Sequence, residues 1–483
     1  MGLNRVLRVL VRAKAGRARA NWKLQTLMVM FAFAFAGITA MPGKNGGNVR
    51  GNSSPGSQGG NTGGAGNGGG GQGATKVHGN KHCTADGGPA GFKKPKKANR
   101  GRGHGRPEAP LAEDLPGYEQ FLSKKYGCNR AEMHRNPKKQ ATFDSNRNKM
   151  IEHNVKFELG ESNYTMEVNK FADLTAEEFI ATQGGLKIAS ERRAKGRPQP
   201  TGGDRHSRRQ TRTKRQTPTN LLSILYPTSF TAFDWRDNSF TGVDRNGVQT
   251  ACLQPVQNQG ACNSGWAYAA LVSLAARWCI RTGHVVRPST QEAIDCVIVT
   301  YDDGSETSVG CQAADPVHLY DYVVDFGIAS AADYPSHEDT LAYGEAQQCN
   351  VNVAGTEIEL QADDGENGHF MTSDQEINLY QLLRGGPLAV GLNMERLQFY
   401  AAGVFSDFYG PREVQGYMTL IGYGTDTWLR FNQYTLTLQQ LILDWWAVRS
   451  SFGEDWGEEG HVRILRRYQI AGIGSDAVLP VLP

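Results

Sequence analysis

Two long stretches of this 483-residue chain are too polar and repetitive to bury anything, and they decide where folded domains can lie. Residues 41–115 carry "GGNTGGAGNGGGGQGATK" and then "FKKPKKANRGRGHGR", with no hydrophobic period. Such a composition cannot offset the entropy of ordering it, so a flexible arm is expected there. Many of the chain's 58 glycines crowd into that arm, so the glycine excess is local and does not describe the remainder. Residues 186–226 make a second polar, basic stretch containing "RHSRRQTRTKRQTPTN", expected as an exposed linker. Within it, Arg212-Thr-Lys-Arg215 has the spacing that furin-type convertases cut after, which makes Arg215 the candidate processing site. An uncut charged tether is the plainer alternative. Three segments remain for structure: 1–40, 116–185 and 227–483.

The first of these sets the compartment. Seven Lys/Arg in residues 1–23 precede the uncharged run "LQTLMVMFAFAFAGITA". That order fits a secretory signal over 1–40, cleaved near Ala40. The run is also just long enough to serve as a type II anchor. Either way the basic flank directs the rest of the chain to the lumen, extracellular or endolysosomal. Membrane attachment is expected only if the signal stays uncleaved.

A lumenal compartment permits disulfides, and six of the eight cysteines fall between Cys252 and Cys349. Formal net charge is only +4, so overall charge gives no reason to expect a nucleic-acid partner. The basic excess is local: seven Lys/Arg lie between Phe92 and Arg106. That cluster suits an acidic glycan or matrix by charge alone, and it equally suits a solvated linker. Asn52-Ser-Ser and Asn163-Tyr-Thr match the glycosylation triplet, which is common by chance.

Residues 116–185 have a helical texture. Tyr118, Phe121, Leu122 and Tyr126 recur on one face of a short helix. Asn136-Pro137 then offers an N-cap followed by proline at the first helical position, and Phe143, Asn146, Met150 and Asn154 follow down one side. "YTMEVNKFADL" alternates as a strand does, and Thr175-x-x-Glu178 is a capping box opening another helix. In 227–483, Trp266, Ala270, Leu274 and Trp278 form one stripe from Gly265 to Ile280. Strand-like runs follow later, among them "GPLAVGLNM", "YMTLIGYG" and "WWAVRS". Helices first and strands later predict an α+β fold of two lobes.

At "FDWRD", "VQNQGACNSGWAYAA", "STQEAIDC", "VGCQAA", "LIGYG" and "WWAVRSSFGEDWGEEGHVRI" the chain resembles the papain-like cysteine peptidases. Residues 116–185 resemble the inhibitory propeptide of that family, through Phe143, Asn146, Asn154 and "NKFAD". The resemblance implies a helical lobe and a β-barrel lobe, no metal and no cofactor. Arg135 and Lys139 stand where the family prefers Glu and Arg, which puts one internal ion pair in question.

The family's chemistry needs a thiolate at a helix N-terminus, an imidazole beside it, an amide orienting that imidazole, and an oxyanion donor. By resemblance the donor is retained as Gln259. The thiol position is Gly265, the imidazole position Gly416 and the orienting amide position Ser450. Phe452 replaces the tryptophan that shields the amide. Ser264 is adjacent to the vacant position, but one helical step turns a side chain by about 100°. None of His284, His318, His337, His369 and His461 lies in the strand that should supply the base. In the cleft, Ala313 and Ala314 put methyl groups where the family has two glycines. The resemblance also implies the bridges Cys262–Cys311 and Cys296–Cys349, and Cys252–Cys279 as the additional bridge of cathepsin B-like members. Cys83 and Cys128 stay outside that framework. Between Gly424 and Asp444 the chain inserts an apolar segment, either an interaction surface or an extra strand pair on the barrel.

The expected function is that of a peptidase homologue without catalysis, binding a protein or peptide in its altered cleft. The alternative is an active cysteine endopeptidase with relocated catalytic groups. A third reading makes the Gly-rich basic arm the working part and the folded domain its carrier.

Overall fold

Among the described residues, Asn136 and Pro137 start the longest helix of the N-terminal part, and its buried stripe explains how that part holds together. In this computed structural model, residues 106–127, 131–184, 232–237, 240–300, 306–350, 369–373, 376–432 and 437–482 are described. The signal segment, Arg215, Cys83 and Cys128 lie outside them. Helix α1 runs Tyr118–Tyr126, a 3-10 turn covers Ala131–His134, and α2 runs Pro137–Glu158. The Asn136 side chain accepts the N–H groups of Lys138 and Lys139, capping α2. Phe143, Asn146, Met150, Asn154 and Phe157 make its buried face. The two asparagines are there as brackets: Asn146 donates to the carbonyls of Ala172 and Leu174, and Asn154 to those of Pro110 and Met166. Buried amides of this kind are tolerated because their hydrogen bonds are made.

Two expectations change here. The arm was expected to run to residue 115, yet Ala109 and Leu115 are buried against this helical unit. Arg147 reaches the carbonyls of Ala112 and Leu115 as well, so folded structure begins by Arg106. The strand expected over "YTMEVNKFADL" is only β1, Tyr164–Met166. Beyond it, Asn169 accepts the Phe171 N–H and donates to Gln398 O, which turns the chain instead. The questioned ion pair is replaced by others: Arg135 with Glu119 and Lys139 with Glu178, each at 2.7 Å. Helix α3, Ala176–Gln183, opens on the Thr175/Glu178 capping box.

The larger part begins with short strands β2 (Phe233–Asp234), β3 (Thr241–Val243) and β4 (Gln249–Ala251). Helix α4, Gly265–Thr282, is its central rod, buried through Trp266, Ala270 and Leu274 and ended by Gly283 at φ 75°. Helices α5 (Thr290–Cys296), α6 (Pro316–Phe326) and α7 (Glu338–Tyr343) complete the helical lobe, together with the hairpin of β5 (Ile298–Thr300) and β6 (Glu306–Ser308). The second lobe holds β7 (His369–Ser373), α8 (Glu376–Leu383), β8 (Leu388–Leu392), β9 (Tyr400–Phe405), β10 (Gly416–Asn432), β11 (Thr437–Arg449), β12 (His461–Leu465) and β13 (Asp476–Pro480). These strands form one sheet in the order β1-β9-β12-β11-β10-β8-β13-β7, with β2 also paired to β10. The fold is α+β, helical unit first, helical lobe next, sheet lobe last.

The segment inserted after Gly424 is a strand pair. It continues β10 and β11 in unbroken antiparallel register from Thr425↔Asp444 to Asn432↔Thr437. Cysteines join as Cys252–Cys279, Cys262–Cys311 and Cys296–Cys349, all in the first lobe. No described helix is long and apolar enough to cross a membrane.

Candidate functional site

The site lies where the N-terminus of α4 meets β10. The loop leading to it folds tightly because Gly260 adopts φ +62°, and a β-carbon there would stand 2.0 Å from Leu341 O. Cys262–Cys311 fastens the same loop from the other side. Ser264 is the N-cap and Gly265 the first helical residue. A β-carbon at Gly265 would meet Gln259 Oε1 at 3.2 Å, Tyr417 O at 3.3 Å and Ser451 Oγ at 3.5 Å. Any side chain at 265 would therefore project toward β10 and the Gln259 amide. Ser264 does not take its place: the hydroxyl turns back to Cys262 O at 3.4 Å.

Gln259 is fully buried and its amide is fully used. Nε2 donates to Cys262 O at 2.9 Å, with Thr182 O at 3.4 Å, and Oε1 accepts from Ser451 Oγ at 2.5 Å. Nothing local in the sequence marks Ser451, since its partner stands 192 residues away.

Gly416 is the first residue of β10, paired with Leu392. The direction a side chain would take is filled: Met394 Cε lies 3.0 Å from that β-carbon position, Gln183 O 3.4 Å and Gly184 Cα 3.5 Å. Ser450 is buried and faces its own loop. Its hydroxyl donates to Gly460 O at 2.9 Å and accepts the Phe452 N–H at 3.1 Å. Phe452 packs edge-on against Phe171, Phe179 and Trp456, an apolar cluster rather than a lid over an amide.

A cavity of about 10 Å³, room for about one water molecule, lies behind Gly265. Tyr268, Tyr417, Thr419, Arg449, Ser450 and Ser451 are among its walls, and no histidine or cysteine is. Burial raises the Tyr268 hydroxyl to about 12, so it stays protonated. Burial lowers the Arg449 guanidinium to about 10, still cationic at neutral pH, and it donates to the Gln254 and Pro255 carbonyls. His461, opposite Arg449 on β12, is pushed down to about 3, first by burial and then by Arg236 and Arg449. It is neutral and points to the Glu459 carbonyl, 2.8 Å from Nδ1. Among the described residues no group of three or more His, Cys, Asp or Glu could hold a metal.

The cleft holds the end of α3. Asn263 donates to Ala181 O and Gly184 O, Gln183 Nε2 to Gly260 O, and Lys170 Nζ to Asn258 Oδ1. Residues 181–184 thus cross over Gln259, Asn263 and Gly416.

Comparison with known proteins places this geometry. Residues 231–481 match the papain family cysteine protease model, and residues 119–179 match the cathepsin propeptide inhibitor domain. Among curated proteins, a cathepsin L-like proteinase of Phaedon cochleariae is 26% identical over 345 residues, 70% of this chain and 86% of its own. Digestive cysteine proteinase 3 of Homarus americanus is 26% identical over 77% of this chain and 96% of its own. Among solved structures, digestive procathepsin L 3 of Tenebrio molitor superposes with TM-score 0.51 at 24% identity, covering 75% of this chain and 98% of that one. That likeness supports the fold.

Proposed function

This chain belongs to the papain family of cysteine proteases, and from that premise we propose that it keeps the family's fold without its chemistry, working by binding instead of cutting. The observation that carries this reading is the glycine at the helix N-terminus beside Gln259. Peptide-bond cleavage by this fold needs a nucleophile there, and glycine supplies no reacting atom. Two further features support it. The position for the base is a glycine hemmed in by Met394, and the hydroxyl of Ser450 is spent on Gly460 O. General acid–base assistance alone is commonly worth roughly 10²–10⁴ in rate, so losing it is not a small loss.

In this reading the protein travels the secretory pathway and acts in an extracellular or endolysosomal lumen. Its partner is a protein or peptide entering the altered cleft once residues 181–184 leave it. An acidic glycan or matrix component engages the basic arm. Cutting after Arg215 separates the arm and the propeptide-like unit from the larger part. N-terminal sequencing of secreted material is then expected to find Gln216 or a residue just beyond it, and a start at Met41 throughout speaks against cutting.

A thiol-directed epoxide tests the reading. Incubated with the purified chain, before and after the linker is cut, it should leave the mass of 227–483 unchanged. The six cysteines of that segment are all in disulfides, so none offers a free thiol. A covalent adduct on this segment would mean a live thiol and end the proposal.

A further inference from the structure

We propose that the inserted part of the β10–β11 hairpin is a clasp that holds the propeptide-like unit on the larger part, so that the two stay together after the linker is cut. This does not depend on whether the site is catalytic. Along the inserted strands the side chains alternate. Trp428 and its cross-strand partner Leu441 turn toward the helical unit, while Thr427, Leu429, Gln440 and Ile442 turn to solvent. Trp428 is only 3% exposed although it stands far out along a hairpin. Its ring meets the fully buried Phe157 of α2 edge-on, with centroids 6.4 Å apart. Arg106, from the start of the described chain, covers the Phe157 ring at 4.2 Å. One apolar cluster accordingly includes Ala109 and Phe157 on one side and Trp428 and Leu443 on the other.

The hairpin is braced for this task. Asp426 accepts both indole N–H groups, from Trp428 at 3.2 Å and from Trp445 at 2.9 Å, and pairs with Arg463. Arg463 is fixed in turn by Glu458 at 2.7 Å. Trp428 is therefore held in position by the barrel and does not hang from a loose tip. Farther out, the Arg430 side chain lies against Gly160 just past the end of α2. A β-carbon on Gly160 would stand 2.6 Å from Arg430 Nε, and the glycine's φ of +78° suits no other residue well. The charges facing this contact are Arg106, Arg430 and Glu158. The other contacts between the two parts include the β1·β9 strand pair, where Tyr164 meets Phe405 at 4.8 Å, the Phe171 and Phe179 rings against Phe452, and residues 181–184 in the cleft. The clasp adds a separate aromatic anchor at the C-terminal end of α2.

The test is a full chain with a specific protease site placed in the 196–215 linker, cut and then followed by size-exclusion chromatography at neutral pH. The two fragments are expected to elute together. Trp428→Ala, and separately Phe157→Ala on the other side of the contact, should release the N-terminal fragment roughly a hundredfold faster. Leu429→Ser and Ile442→Ser, on the solvent face, should behave as wild type. Far-ultraviolet circular dichroism of each uncut variant checks that it folds. If Trp428→Ala does not fold, Phe157→Ala and a hairpin with 427–442 replaced by Asn-Gly ask the same question. Wild-type fragments that part immediately on cutting would overturn the proposal. So would well-folded Trp428→Ala and Phe157→Ala fragments that stay together as long as wild type.

Discussion

The terminal methyl carbon of Met394 lies 3.0 Å from the point that a β-carbon on Gly416 would occupy. A thioether, from the turn that follows β8, thus fills the direction a side chain at 416 would take. Gly416→His should destabilise the folded protein by about 1–3 kcal/mol through overpacking. Met394→Ala should recover most of that loss, which a pair of denaturant titrations measures. If Gly416→His costs nothing by itself, Met394 does not hold the space. Gly265→Cys alone should give no turnover for want of a base. Gly265→Cys with Gly416→His should give turnover only with Met394 shortened and residues 181–184 displaced, and Ser450→Asn should improve it.

Gly265 begins α4 at a conformation any residue can adopt, and a β-carbon there makes no contact under 3.2 Å. Glycine in a helix costs roughly 0.5–1 kcal/mol relative to alanine. Gly265→Ala is therefore expected to raise stability by up to about 1 kcal/mol, read as a higher urea midpoint at unchanged slope. A lower midpoint would mean that Tyr417 O and Gln259 Oε1 cannot yield the few tenths of an ångström required.

His461 gives stability a pH dependence of known sign. Its folded-state pKa is pushed down to about 3, below the ordinary value of about 6.5. As pH falls below the ordinary value, the unfolded chain takes up a proton that the folded chain refuses, so stability is lost from there down to about pH 3. Arg236 and Arg449 oppose protonation, while Asp234 and the Glu458 hydrogen bond favour it. At about pH 5 the loss from this one group is about 2 kcal/mol relative to neutral pH. His461→Gln should flatten the wild-type decline by about that amount in denaturant titrations. Parallel declines in the two proteins would contradict it.

The Cys252–Cys279 bridge spans 27 residues and ties the end of β4 to α4. Closing a loop of that length removes about 3–4 kcal/mol of unfolded-state freedom. Replacing both cysteines by alanine should lower stability by about that much. Mapping of disulfide-linked peptides should find Cys252 with Cys279 and not with another cysteine.

What was legible in the sequence was local or came by resemblance. The Asn136-Pro137 start, the Thr175/Glu178 capping box and the stripe from Trp266 to Leu274 each rest on residues within a few turns of one another, and each formed. The resemblance led to the junction of α4 and β10, where Gln259, Gly265, Gly416 and Ser450 lie. It did not lead to Met394, Ser451 or Gln183, which now occupy that junction, because their contacts join separate elements and leave no pattern along the chain. The strand expected across "YTMEVNKFADL" failed for the same reason: Asn169 finds its partner, Gln398 O, 229 residues away and turns the backbone. The hairpin's inner and outer faces could be told apart only once Phe157 was seen to cover one of them.

The most direct test of the central claim is cleavage of a panel of fluorogenic peptides by the wild-type chain. It should be measured with the linker intact and cut, and with contaminating serine proteases and metalloproteases excluded by inhibitors that spare thiols. No turnover above the blank is expected in either form. Reproducible cleavage that disappears when a residue within 227–483 is substituted would contradict it.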